Sequence, residues 1–235
     1  MGRRALKAVD PSIDLSSFLY TLEELPEPLV ASDLFGREAP FEVELGSGKG
    51  LFMQTASAAH PERNYLGIEM AHKYARHAAG RLAKHGLDNG KMISGDGLRL
   101  FREFLPNESV DAVHVYFPDP WWKDRHRKRR VMKPEFLRDI QRVLVAGGSL
   151  HFWTDVEEYY QATLEMIASE VSFEGPLKVA QRPAEHDLDY RTHFERRMRM
   201  NNEPVYRSEF RKPVTNSLPN CEVPSCDSNP PTFEC

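Results

Sequence analysis

Cysteine is missing from the chain until Cys221; Cys226 and Cys235 complete the set of three. A body without thiols suits a reducing cytosol. The three that exist match no C-x2-C pair and have no histidine near them, so no metal site is expected. Long apolar runs are missing as well: none approaches the roughly 20 residues that cross a bilayer, and no membrane association is expected. The first residues, Met-Gly-Arg-Arg-Ala-Leu-Lys, are basic but have no apolar stretch behind them, unlike a secretory signal. Leu6 stands where N-myristoylation wants Ser or Thr. There are no internal repeats. Nor is there an excess of positive charge: the formal net charge is −4, so binding to a polyanion cannot rest on global charge.

Charge distribution is more informative. Lys123, Arg125, Arg127, Lys128, Arg129 and Arg130 crowd against a single acid, Asp124, and Arg191, Arg196, Arg197 and Arg199 form a second cluster. An acidic protein with one basic face binds a polyanion locally and releases it as salt rises. A hydrophobic share of 40% supports a real core, and 235 residues fit one α/β domain with tails. The expected organisation is a lead-in over 1–35, a domain over 36–211 and a tail over 212–235. The tail is rich in Pro, Ser and Asn, and disorder is expected there.

The regular part alternates. Strands are expected at 41–45, 64–68, 91–94, 110–116 and 150–153, with short ones near 177–180 and 205–210. Helices are expected at 51–59, 71–85, 134–145 and 156–169, with Gly86 closing one and Gly147-Gly148 another. Alternation of this kind implies βαβ units, hence a doubly wound, mostly parallel seven-stranded sheet in a Rossmann-like α/β fold. Ligands in such sheets bind beyond the carboxyl ends of the strands. Polar or glycine-rich elements follow all five main strands and carry Glu44, Glu69, Asp96, Asp119 and Asp155.

Glu44-Leu-Gly-Ser-Gly-Lys-Gly50 puts Gly46, Gly48 and Gly50 between a strand and a helix, where backbone can approach a ligand closely. Glu69, twenty-one residues after Gly48, is placed to accept ribose hydroxyls. The alternatives are an ordinary βα turn and a solvated acid. Leu51 occupies the place of the third glycine of a dinucleotide fingerprint, and Gly-Leu after Lys49 fails the P-loop pattern. Glu44 repels a pyrophosphate and suits a cation. S-adenosyl-L-methionine carries a sulfonium, an ammonium and a ribose but no phosphate. The glycine pattern with its following acid looks like that of a class I methyltransferase, with Asp96 falling where that fold meets the adenine.

Phe117-Pro-Asp-Pro-Trp121, followed by Lys123 and Arg125-His-Arg-Lys-Arg-Arg130, closely resembles the bacterial tRNA (guanine-N7)-methyltransferases, the TrmB family. Leu66-Gly-Ile-Glu69, Trp153-Thr-Asp155, Thr192-His-Phe-Glu195 and Val205-Tyr-Arg-Ser-Glu-Phe210 resemble further elements of that family. The likeness covers roughly residues 40–211. Trp122 stands where the family commonly has Pro or His, and Asn201-Asn202 replaces a glycine.

The resemblance implies a cytoplasmic enzyme that moves a methyl group from S-adenosyl-L-methionine to N7 of guanine at position 46 of tRNA; the sequence leaves monomer and homodimer both open. Glu44, Gly46, Gly48, Gly50, Glu69, Asp96 and Asp119 then bind the donor, with Asp119 also catalytic. Lys123, Asp155, Thr192 and Glu195 meet the acceptor base, and Arg125, Arg127, Lys128, Arg129 and Arg130 track phosphates. Blander readings stand beside these. Asp155 with Glu158 makes a capping box, Thr192 with Glu195 a helix start, Trp121 a packing aromatic, Lys123 a solvated side chain, and Asp119 a turn residue. A nicotinamide-dependent oxidoreductase is disfavoured by the glycine spacing. A non-catalytic RNA-binding protein of this fold is disfavoured by the intact acids. A methyltransferase for a small molecule or another RNA is disfavoured by the cationic track.

Overall fold

The computed structural model describes residues 6, 8–181 and 183–214; the cysteines and the rest of the tail lie outside the described residues. Eight strands form one sheet: β1 (Leu19–Thr21), β2 (Phe41–Leu45), β3 (Asn64–Glu69), β4 (Gly90–Ser94), β5 (Val110–Tyr116), β6 (Leu144–Thr154), β7 (Glu174–Lys178) and β8 (Tyr206–Arg211). Their spatial order is β1-β4-β3-β2-β5-β6-β8-β7. The pairs from β1 to β6 are parallel, and β8 is antiparallel to both β6 and β7.

Seven helices accompany the sheet among the described residues: α1 (Ala31–Phe35), α2 (Leu51–Ala59), α3 (His72–Lys84), α4 (Gly97–Arg99), α5 (Pro134–Val143), α6 (Glu157–Glu170) and α7 (His193–Met200). One π-helical turn, Leu100–Phe104, continues α4. Apolar spacing explains the packing. In α5, Phe136, Leu137, Ile140 and Val143 fall on one face and are buried, and Pro134 opens the helix where a missing N–H costs nothing. Strands covered on both faces read as apolar runs, as β5 does.

The expected seven strands are present and one is added. β1 comes from the lead-in, whose Leu15, Phe18, Leu22, Leu25 and Leu29 are buried. Lys91 ties this segment to the sheet. Its ammonium donates to the Ser17 carbonyl at 2.7 Å and lies 5.4–5.9 Å from the ring centres of Phe18, Tyr20 and Phe35. The helix expected to reach Val145 stops at Val143, because Leu144 already pairs with Val110 at the start of β6. Gly147-Gly148 therefore lie within β6 rather than ending a helix.

The chain leaves β2 for β3 and β4 on one side, then returns to β5 on the other. The loops after β2 and β5 diverge there and leave a crevice at the carboxyl ends. Lys91→Ala removes the charge-assisted bond and the aromatic contacts together. It is expected to lower the free energy of urea unfolding by about 2–4 kcal/mol, with the loss read from the denaturation midpoint.

Candidate active site

A cavity of about 390 Å³ occupies this crevice, and Gly46, Glu69, Asp96, Asp119, Trp121 and Arg129 are among its walls. Residues from four strand ends thus converge, as the order of the sheet requires.

The glycine loop is held from behind. Glu69 Oε2 accepts from the Gly48 N–H at 2.9 Å, and Oε1 accepts from the Ala71 N–H at 2.9 Å. One carboxylate therefore fixes the loop after β2 and the turn into α3. Gly48 has φ +53°, a backbone conformation that favours glycine, and a side chain there would meet only the Gly46 carbonyl, at 4.0 Å. Gly50 is needed for another reason: a side chain there would collide with Ala78 of α3. Asp96 caps α4 by accepting from the Leu98 N–H at 2.9 Å.

Glu44 is 3% exposed, and its Oε2 has no hydrogen-bond partner among the described residues. Burial, reinforced by the neighbouring Glu69 and opposed by Ser47 and Arg191, raises its pKa to about 8. The Arg191 guanidinium lies 5.6–6.0 Å from the ring centres of Phe52, Tyr116 and Trp153. It donates to Tyr116 Oη at 3.2 Å. Tyr116 and His114 Nδ1 are 2.9 Å apart, His114 Nε2 and Glu42 2.7 Å, and Arg63 closes the chain on Glu42 at 2.8 Å. Burial lowers the His114 pKa. A neutral ring donating from Nε2 to Glu42 and accepting Tyr116's proton at Nδ1 satisfies every link. Sequence reasoning missed this network; its one trace was a histidine inside the apolar run of β5.

The loop after β5 has an uncommon backbone. Phe117 and Trp121, on either side of Pro118-Asp119-Pro120, have φ of 50° and 47°. Holding a non-glycine residue there costs roughly 1–3 kcal/mol and is characteristic of functional loops. Asp119 is presented at the cavity wall by these two turns and two prolines. Arg129 lies 5.1 Å from the Trp121 ring centre, and Trp122 is 67% exposed. Lys123, Arg125, Arg127, Lys128 and Arg129 are exposed, with Arg127 3.5 Å from Glu158.

Arg130 departs from expectation and is corrected. It is 8% exposed, donates from Nε to the Pro120 carbonyl at 2.7 Å, forks onto Glu158 at 3.4 Å and stacks 4.6 Å from the Tyr159 ring centre. It cannot track a phosphate, because it is built into the base of the loop.

Asp155 is not a helix cap. Val156 holds that place, its N–H donates to Thr154 Oγ1 at 3.2 Å, and Glu158 faces Arg127 and Arg130. Asp155 is left at the end of β6, where burial raises its pKa. Thr192 does cap α7, accepting from the Glu195 N–H at 3.0 Å. Glu195 is buried, accepts from the Arg191 N–H at 2.8 Å, and faces Arg207 at 3.2 Å and Arg199 at 3.4 Å. The direct base contact expected of Glu195 is therefore corrected to a bracing role: its oxygens are taken up inside the protein.

A parallel doubly wound sheet with a glycine loop, a ribose-type carboxylate and an acidic crevice defines a class I S-adenosylmethionine-dependent methyltransferase. The same architecture, at 18% identity and a TM-score of 0.51, occurs in a 16S rRNA (adenine(1408)-N(1))-methyltransferase variant with cosubstrate SAM from Catenulisporales acidiphilia, covering 78% of this chain and 90% of that one. The aminoglycoside resistance methyltransferase NpmB1 shares it at 17% identity and a TM-score of 0.50, over 76% and 89% of the two chains. A family of putative methyltransferases matches residues 38–208. A tRNA (guanine-N(7)-)-methyltransferase of Rhodopirellula baltica is 51% identical over 90% of this chain and 80% of its own length. One from Alkalilimnicola ehrlichii is 33% identical over 89% and 86%. The chain belongs to the tRNA (guanine-N7)-methyltransferase family.

The residues fit the donor. A buried carboxyl with one oxygen unpartnered suits a cationic ligand and disfavours a phosphate, and Glu69 retains lone pairs for ribose hydroxyls. Because a cation favours ionised Glu44, binding below pH 8 requires a proton to leave. S-adenosylmethionine affinity should therefore tighten between pH 6 and 8, by up to about tenfold per unit, and level off above. Glu44→Gln should flatten the profile in a calorimetric titration. Arg130→Ala is expected to cost about 2–4 kcal/mol of stability, unrescued by Lys, whereas Lys128→Ala should stay within about 0.5 kcal/mol.

Proposed function

We propose that this protein methylates N7 of guanine at position 46 in the variable region of tRNA, working in the cytoplasm. The single observation that carries the reading is the Phe117–Arg130 loop, which sets a strained, proline-clamped carboxylate at the donor cavity and a row of exposed cations beside it.

S-adenosyl-L-methionine supplies an electrophilic methyl group on a sulfonium. Guanine N7 has an in-plane lone pair and no proton, so the protein needs no general base. Its work is alignment, which contributes ~7–11 kcal/mol in favourable cases. Glu69 and the glycine backbone orient the ribose, Asp96 meets the adenine, and Glu44 balances the donor's positive charge. Asp119 stands where charge grows on the purine and stabilises it. Asp155 and the Thr192 hydroxyl, whose proton stays available while its oxygen caps α7, pair with the guanine edge, and the Trp121 face offers it a stacking surface. Lys123, Arg125, Arg127, Lys128 and Arg129 supply affinity and register through phosphates, which do not select the base.

Incubation with unmodified tRNA and the methyl donor should yield 7-methylguanosine, mapped to one site by borohydride reduction and aniline scission; absence of scission contradicts the reading. Asp119→Ala should lower kcat by about 100-fold or more with a smaller change in donor affinity. Reversing charge at Arg125, Lys128 and Arg129 together should raise KM for tRNA and reduce the slope of log affinity against log salt by about 3.

A further inference from the structure

Arg81, in the last turn of α3, reaches three parts of the molecule. Its Nε donates to Gln54 Oε1 of α2 at 2.8 Å. Its Nη1 lies 3.4 Å from the Lys49 carbonyl in the glycine loop and 2.9 Å from Nε2 of His193, the first residue of α7. Gln54 is buried, so the root of this fork is fixed. His193 is exposed as a residue, but partial loss of solvent around its ring, then the cations of Arg81 and Lys49, push its pKa down to about 4. At neutral pH the imidazole is uncharged, and Nε2 is the acceptor that a guanidinium requires.

Residues 191–195 are gripped from the other side too. Arg191 enters the Phe52, Tyr116 and Trp153 cluster, and Phe194 packs 5.0 Å from Phe117 at the root of the Asp119 loop. The donor loop and the acceptor segment thus share one guanidinium. The Lys49 contact, at 3.4 Å, is at the long limit of a hydrogen bond, so a small settling of the loop changes it more than it changes the other two.

We propose that Arg81 is a positioning residue that couples the two substrates: seating the donor on the glycine loop sets, through the Lys49 carbonyl and His193, the position of residues 191–195 against the acceptor guanine. This rests on the tRNA reading above. Coupling of this kind is reciprocal, so donor and tRNA must each tighten the other by one common factor. His193 acts as an acceptor, not as an acid or base.

The test is titration of S-adenosylhomocysteine by calorimetry, alone and with saturating unmodified tRNA, on the full chain. Wild type is expected to bind at least about fivefold tighter with tRNA present. His193→Leu should bring that ratio to about 1 while affinity without tRNA stays within about twofold. His193→Gln, which keeps an acceptor, should retain the wild-type ratio. Arg81→Gln should lose it, and combining it with His193→Leu should add nothing further. A wild-type ratio of 1, or a His193→Leu ratio equal to wild type, overturns the proposal. Failure of wild type to bind or methylate tRNA at all instead overturns the acceptor reading and takes this inference with it.

Discussion

One carboxyl buried at the carboxyl edge of the sheet, with a second beside it, sets the electrostatics of the site. Glu69, Asp96 and Asp119 line the cavity from separate strand ends that the parallel order brings together, and Glu44 is buried within β2 close to Glu69. Glu44 cannot ionise freely because it is buried and Glu69 is beside it. Arg191 offsets part of that cost from the opposite side and is itself held by Tyr116, His114 and Glu42. A crevice in this condition accepts a cation far more readily than a nucleotide phosphate.

The same chain handles two opposite charge problems within one loop. Acid faces the cavity at Asp119, and exposed cations begin at Lys123. Pro120 and the left-handed residue Trp121 stand between them, and Asp119 forms no ion pair with its basic neighbours among the described residues. Arg130 makes this possible by anchoring the loop to Pro120 and Glu158. In the proposed reaction, chemistry and affinity are divided between the loop's two ends, which suits a protein whose net charge is −4.

The main strands and the helices between them were legible because their apolar runs and spacings are strong, as in β5 and α5. β1 was not, since three residues in a polar lead-in carry no periodicity, and its existence depends on pairing with β4. The early start of β6 was hidden by Gly147-Gly148, which mimic a helix end; the pairing of Leu144 with Val110 is a long-range fact. Acids at the crevice were visible because Glu69 ends β3 and Asp96 and Asp119 come soon after β4 and β5, whereas Glu44 lies inside β2. Arg130 and Glu195 were misjudged because sequence shows charge but not burial. One member of a basic run was inside the fold, and one apparent base contact was bracing three arginines. The Arg191–Tyr116–His114–Glu42 chain joins residues far apart in sequence and leaves no local pattern.

The most direct test of an acid-lined crevice built for a cationic donor is a crystal structure of the full chain soaked with S-adenosylmethionine. The account predicts the ribose hydroxyls on Glu69, the adenine beside Asp96, the methionine ammonium within reach of Glu44, and the sulfonium methyl facing Asp119. Density for the ligand elsewhere on the sheet, or in the crevice with its sulfonium turned away from those carboxylates, would contradict it.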